Sequence, residues 1–530
     1  MSRQESPFDA ATATRDGCIT PDQKQTCEHL ETDAACMSDE LYSTVKLCRP
    51  LRAIVDTAQF QRLRRLKQLG FAWLVWPCAT HTRFEHSIGV CHLAGKLLRK
   101  LQRKQPNLVT DRDILCVQIA ALCHDLGHGP ASHFFDSMVV PEIAPHATKY
   151  SHELASTMMF DRLLEQNAHV KQELLKYLDE TDFLFIKEAI DGEPRGNKNR
   201  QFQAAWKYAG RPEDRQYLYD VVSNKHDGLD VDRMDYLLRD SLKTAVAIQF
   251  SFSCLKRMFD YAQIMHVKTD NIDQWRICYA EKMLDNIQNM VKSRFHLHET
   301  VYQHKTTKCL ELMFLDVFKS ANDVLRFRND EGTLLSMSEA LFDMSAFEKI
   351  DDESVRVLVQ HSTEPALADA RSILARIESR QLYVVLGVVA LSRLPTTERS
   401  QIDAENVVPV KKQSAKEWAA IAKNQVMKLA EQQLSAGVNT AEGVRSGSLL
   451  VQYSELHHGS GARNPLRRVC LYAHKAERAR ARLTNEHEVS GAAGRRLLLR
   501  NCCGALTEKG TCSWYQCSHQ EDVPFSVLRA

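Results

Sequence analysis

Residues 114–136 read ILCVQIAALCHDLGHGPASHFFD. Ile114, Val117, Ala120 or Ala121, and His124 recur at the three-to-four spacing of one helix face, which predicts a buried helix with His124 and Asp125 at its inner end. Gly127 and Gly129 break that helix and Pro130 stops its continuation, so a tight turn returns His128 toward His124. Four polar groups are expected to converge there: His124, Asp125, His128 and His133.

Two further segments carry similar chemistry. In residues 81–102, HTRFEHSIGVCHLAGKLLRKLQ, His86 is in register with Val90, Leu93 or Ala94, Leu97 and Leu101 and so faces the core. Taken alone, such a histidine is more often a hydrogen-bonded core group than a ligand. In residues 228–240, GLDVDRMDYLLRD, Asp232, Tyr236 and Asp240 share one helical face. That face is either solvated or supplied with a cation, because an uncompensated buried carboxylate costs several kcal/mol. Together His86, His124, Asp125 and Asp232 make a nitrogen and oxygen donor set suited to divalent iron, manganese, magnesium or zinc. A cation so held activates water for attack on phosphorus, and His128 or His152 is placed to protonate the leaving oxygen.

The remainder of the chain bounds the class of molecule. Its 530 residues contain 69 Lys plus Arg against 67 Asp plus Glu, with 44% apolar residues, which excludes collagen, a charged disordered chain and a small disulfide module. A formal charge of +2 exerts no global pull on a polyanion. The longest apolar run, residues 383–391, falls short of the ~20 residues that span a bilayer. With no secretory signal and sixteen irregularly spaced cysteines, the expectation is an intracellular chain with free thiols and no membrane segment. The expected fold is mainly α, with a flexible arm over 1–40, a large helical domain over 41–390, and a smaller α+β lobe over 391–490. Residues 491–530 receive no fold, and Cys502, Cys503, Cys512, Cys517 and His519 within them match no common zinc spacing.

These stretches, with DTAQFQRLRRLKQLG (56–70), SNKHDGLDVDRMDYLLRD (223–240), VYQHK (301–305) and STEPALADARSILARIE (362–378), resemble the HD-domain phosphohydrolases. More narrowly they are similar to the deoxynucleoside triphosphate triphosphohydrolases that join a sterile-alpha-motif domain to an HD domain, although the short polar stretch before the match is not expected to form that first domain. The resemblance implies an HD helical core and hydrolysis at the α-phosphorus to deoxynucleoside and inorganic triphosphate. It makes His86, His124, Asp125 and Asp232 the metal ligands, His128 and His133 phosphate contacts, and His152 the catalytic histidine beside Asp136. It places Arg83, Arg233 and Arg294 on the triphosphate, with Arg233 standing where the family has lysine. Tyr236 and Tyr302 become the wall that rejects a 2′-hydroxyl, Gln68 and Asp240 hold the 3′-hydroxyl, and Leu69 and Gln303 line the same pocket.

The resemblance further implies tetramers bridged by GTP and a deoxynucleotide with magnesium, a nuclear location, and control of deoxynucleotide pools. Asp56, Gln61 and Arg64 match the guanine site, Arg257, Lys282 and Asn286 the second site, and Arg482 a phosphate-reaching arginine. Ala35, Ala280 and Asn485 depart from the family by replacing cations, which puts allosteric activation in question. Alternatives are an HD-type phosphodiesterase, a nucleoside monophosphate phosphohydrolase, or weak binding of single-stranded nucleic acid through the basic runs 62–67 and 463–482.

Overall fold

The helix Arg83–Lys104 packs along Asp111–Cys123 and beside Val231–Thr244, so the three histidine- and aspartate-bearing segments are neighbours. The computed structural model describes residues 34–192, 206–269, 272–390, 449–455, 469–472, 481–483 and 495–501. Among these the fold is mainly α with a small α+β part, the class expected. No described helix is long and apolar enough to cross a membrane.

Helix Asp111–Cys123 opens with a capping box, in which Thr110 accepts from the Asp113 amide and Asp113 returns a bond to the Thr110 amide. Reciprocal caps of this kind contribute about 1 kcal/mol. Every residue from Asp113 to Cys123 is buried, not one face alone, because Arg83–Lys104, His152–Gln166 and Glu180–Asp191 all pack against this helix. The helix ends at Cys123, and His124 follows with helical dihedrals.

The turn after it is built differently from the expectation. Neither Gly127 nor Gly129 has a positive φ; the left-handed residues are Ala131 (φ 56°) and Ser132 (φ 58°). The glycines serve close approach, since a Cβ on Gly127 would lie 2.1 Å from the Ser156 amide and one on Gly129 would lie 2.2 Å from the Phe135 ring. Gly127 N–H donates to Ser156 Oγ, whose hydroxyl donates to the His124 carbonyl, which ties the turn to helix His152–Gln166. The left-handed pair is held by Asp352, which accepts from the Ala131 amide at 2.6 Å, and by Ser132 Oγ, which donates to Lys67 O at 2.7 Å. Those bonds offset strain of order 1 kcal/mol per residue.

Part of the segment read as an arm is ordered structure. Ala35–Asp39 pairs antiparallel with Ser43–Leu47, and Val45 and Leu47 enter the core. The short polar sequence offers little apolar signal, and the alternation in 43–47 alone anchors the hairpin. Residues 1–33 lie outside the described residues.

Ala262–Thr269 and Ile272–Ala280 form an antiparallel pair extended by Cys470–Tyr472, parallel to the second strand, and then by Ala481–Leu483. Residues from the expected C-terminal lobe thus complete a sheet begun within 41–390. A second sheet orders Val384–Ala390, Arg495–Asn501 and Leu449–Glu455, all antiparallel, so a strand occupies part of the stretch that received no fold. The five tail residues from Cys502 to His519, and Asn485, lie outside the described residues.

Candidate active site

His86 and Asp232 meet across two helices, with His86 Nε2 3.0 Å from Asp232 Oδ1. His124 Nε2 lies 3.6 Å from the same oxygen, and Asp125 Oδ2 stands 3.6 Å from His86 Nε2 and 3.5 Å from His124 Nε2. His86, His124 and Asp232 thus form a group close enough to hold one ion, and Asp125 reaches both imidazoles from beside it. Both imidazoles are oriented from behind: His86 Nδ1 lies 2.8 Å from Asp235 Oδ2, and His124 Nδ1 lies 2.8 Å from the Ala121 carbonyl. Since those oxygens accept, a proton belongs on each Nδ1, and each Nε2 is turned toward Asp232, the edge through which a histidine ligates metal. His124 Nε2 is buried with no hydrogen-bond partner.

Electrostatics agree. Burial pushes the His86 pKa down, but bonds to Asp232 and Asp235 and the charge of Asp125 outweigh it and raise it to about 10. A field that grips a proton so firmly also grips a divalent cation and releases the proton in exchange. The residues present fit such an ion.

Beside this group stands a second, of His128, His133, Asp136 and His152. The His128 and His152 rings stack with centroids 4.0 Å apart, and His133 sits edge-on at 5.0 and 5.1 Å from them. Burial, Arg83 and His152 hold His128 well below the usual histidine range. For His152 burial also lowers the pKa, but the bond from Nδ1 to Asp136 Oδ2 at 2.8 Å and the charge of Asp136 raise it overall. Of the two histidines that the sequence offered as proton donors, His128 is shifted down and His152 up, a split that separates their acid–base roles.

Both groups open into a cavity of about 490 Å³. Its walls include Gln68, Leu69, Arg83, His133, Tyr236, Asp240, Arg294, Tyr302 and Gln303. Arg83 donates to Asp125 Oδ2 at 2.6 Å and to Ser132 Oγ at 2.9 Å, fixing a cation at the floor. Tyr302 donates to Asp240 Oδ2 at 2.6 Å, and His81 Nε2 lies 2.7 Å from Asp240 Oδ1. Arg233 is not brought in with the others: it lies over Gly228, where a Cβ would meet its Nη1 at 1.6 Å, with its Nε 3.9 Å from Asp230. The helix begins at Val231, so position 233 lies in its first turn beside the capping Asp230.

Several residues here escaped the sequence reading: Asp235 behind His86, His81 behind Asp240, and His298, Lys308 and Glu311 in the wall. Asp235 is three residues from Asp232 on the same predicted helix, so the i+3 spacing is the signal that points to it.

An HD domain matches residues 83–240, which contain all four expected ligands. The chain is 37% identical over 458 residues, 86% of its length, to the bovine protein named deoxynucleoside triphosphate triphosphohydrolase SAMHD1, of which it covers 72%. The chain belongs to the SAMHD1 family. Against the human SAMHD1 it is 41% identical over 354 residues, spanning 66% of this chain and 54% of that protein. A SAMHD1 homolog of Dictyostelium discoideum is 33% identical over 357 residues, 67% of this chain and 60% of the homolog.

The positions assigned to SAMHD1-like nucleotide regulation lie apart from the cavity wall. Gln61 donates to the Val55 carbonyl at 2.7 Å and accepts from Arg64 at 2.8 Å, while Arg64 stacks over Phe84 and Asp56 ends helix Arg49–Val55. Lys282 lies 3.4 Å from the centroid of Tyr261, Asn286 donates to Met283 Sδ, and Arg257 occupies the last turn of Phe252–Asp260. Arg482 falls in the strand Ala481–Leu483. In the basic run 62–67 Arg62 is buried, while Arg64 and Arg65 are exposed and Arg65 pairs with Asp351.

Proposed function

We propose that the chain hydrolyses deoxynucleoside triphosphates to deoxynucleoside and inorganic triphosphate in this cavity. The observation that carries the reading is the placement of two imidazole Nε2 atoms with Asp125 and Asp232 directly beside a stacked pair of histidines of opposite protonation preference. His86, His124, Asp125 and Asp232 would hold a divalent cation, which supplies Lewis acidity toward phosphate and water. Arg83, Arg294 and His133 offer positive charge and donors to the polyphosphate. His128, kept neutral, can donate to a phosphate oxygen without becoming a competing acid. His152, held protonated by Asp136, delivers its proton to the leaving 5′-oxygen of the sugar. The Tyr302 ring, fixed through Asp240, and Tyr236 leave the sugar no space for a 2′-hydroxyl.

The reading extends to GTP- and deoxynucleotide-dependent tetramers through Asp56, Gln61, Arg64, Arg257, Lys282, Asn286 and Arg482. Ala35 and Ala280 remove two cations from that scheme, so activation is expected to be weaker than catalysis itself requires. Incubating purified protein with each deoxynucleoside triphosphate, with and without GTP, tests both claims. Triphosphate release supports the reading; monophosphate or pyrophosphate as the sole phosphate product would replace it with another HD-type hydrolysis.

A further inference from the structure

Asp235 has 0% of its side chain exposed, yet it lies on no wall of the cavity. Its Oδ2 faces His86 Nδ1 at 2.8 Å and accepts from Arg239 Nε at 2.9 Å. Its Oδ1 accepts from Arg239 Nη2 at 3.0 Å and from the Tyr42 hydroxyl at 2.7 Å. Arg239, 1% exposed, then donates from Nη1 to Asp39 Oδ2 at 3.1 Å. The other oxygen of Asp39 accepts the amides of Leu41 and Tyr42 and so closes the turn of the hairpin 35–47. Gly89, one turn beyond His86, makes the room: a Cβ there would fall 2.0 Å from Asp235 Oδ1 and 2.5 Å from Arg239 Nη2. One unbroken line of buried polar contacts thus runs from the turn of the N-terminal hairpin to the back of a metal-ligand candidate.

We propose that the hairpin 35–47 is part of the metal-binding apparatus: Asp39 and Tyr42 lock Arg239 and Asp235, which fix the His86 tautomer and aim its Nε2. These four are positioning residues, and the inference rests on His86 being a ligand, as the proposed function has it. A buried carboxylate with two acceptor oxygens and one cation has few alternative geometries, so the orientation of Asp235 depends on Arg239, and that of Arg239 on Asp39. Loosening the hairpin lets the guanidinium pull Asp235 away from Nδ1, and the imidazole loses both its tautomer and its direction. Partners behind metal-ligating histidines alter metal affinity by roughly 10–100-fold.

The test is calorimetric titration of the metal-free full chain with Mn²⁺ alone, comparing wild type with Asp235→Asn, Asp39→Asn, Tyr42→Phe, Glu40→Gln and His86→Ala. Asp235→Asn is expected to weaken Mn²⁺ by about 10–100-fold. Asp39→Asn and Tyr42→Phe should each weaken it severalfold, with an effect that largely vanishes when Asp235 is already Asn. Glu40→Gln, which breaks only the hairpin's outer ion pair with Lys243, should leave affinity unchanged. Tyr42→Phe removes a single oxygen and guards against loss of folding, which thermal unfolding monitors in every variant. Wild-type Mn²⁺ affinity in Asp39→Asn and Tyr42→Phe, while His86→Ala binds poorly, overturns the inference alone. Equal weakening in Glu40→Gln also overturns it, by assigning the effect to general loosening. Undiminished binding by His86→Ala instead removes the ligand reading beneath it.

Discussion

Asp136 Oδ2 and His152 Nδ1 are 2.8 Å apart, and the ring so held stacks on His128. Asp136 titrates far below the usual carboxylate range despite its burial, because His133 and His152 bond to it, so it stays charged across the working pH. His152 is raised by Asp136, so it keeps its proton to higher pH than an ordinary histidine. Activity that uses this proton falls on the alkaline side as His152 loses it. Asp136→Asn moves that alkaline limb to lower pH, and His152→Ala costs about 10²–10⁴-fold in kcat. Profiles of kcat/KM against pH check this; an alkaline limb indifferent to Asp136→Asn removes His152 as the donor.

Arg62 is the brace of the catalytic turn. Its Nη2 donates to the carbonyls of His128 at 2.9 Å and Ile350 at 2.7 Å, and its Nη1 donates to Leu126 at 3.3 Å. Complete burial lowers its pKa to about 10, which still leaves it charged at neutrality. Arg62→Leu strands three carbonyls and is expected to cost about 3–5 kcal/mol of stability. Arg62→Lys should recover part of that. Urea unfolding midpoints measure both, and a Leu variant as stable as wild type would refute the bracing role.

What could be read beforehand follows a physical line. His86, His124 and Asp232 are legible only as a set, because each alone admits an ordinary core or solvated reading while together they make a ligand group. Asp235 was missed because its meaning lies in Tyr42 and His86, which are 193 and 149 residues away in sequence. The turn after His124 was located from its glycines, but their purpose was misjudged: local rules see backbone freedom, whereas the Ser156 amide and the Phe135 ring impose close approach. Arg233 shows the converse limit, since a resemblance fixes a position in the chain without fixing where a long flexible side chain goes.

Sugar discrimination should depend on the Tyr302 ring more than on its hydroxyl. The hydroxyl donates to Asp240, whose second oxygen faces His81, so the ring is fixed in place by a buried pair. Tyr302→Phe keeps the wall and should preserve preference for deoxynucleotides with a modest rise in KM. Tyr302→Ala opens the wall and should reduce the ratio of kcat/KM for deoxy- over ribonucleoside triphosphate by about 10–100-fold. Competition assays with matched nucleotide pairs give the ratio, and an unchanged ratio in the Ala variant would eliminate this ring as the selector.

Loss of the cation should be visible in stability as well as in turnover. A ligand that binds only the folded chain stabilises it by about 2.7 kcal/mol at one hundred times its dissociation constant. Adding Mn²⁺ to metal-free protein is therefore expected to raise Tm by several degrees, with activity returning over the same concentration range. His124→Ala removes a buried Nε2 that has no hydrogen-bond partner, and Asp232→Ala removes the oxygen that lies 3.0 Å from His86 Nε2 and 3.6 Å from His124 Nε2. Each variant should abolish turnover and flatten the Tm response to Mn²⁺, while a mutation such as Thr110→Ala, which weakens a distant helix cap by about 1 kcal/mol, should lower Tm and leave the response intact. The contrast separates a damaged fold from a lost ligand: if His124→Ala and Asp232→Ala still gain stability from Mn²⁺ in full, the ion is held elsewhere.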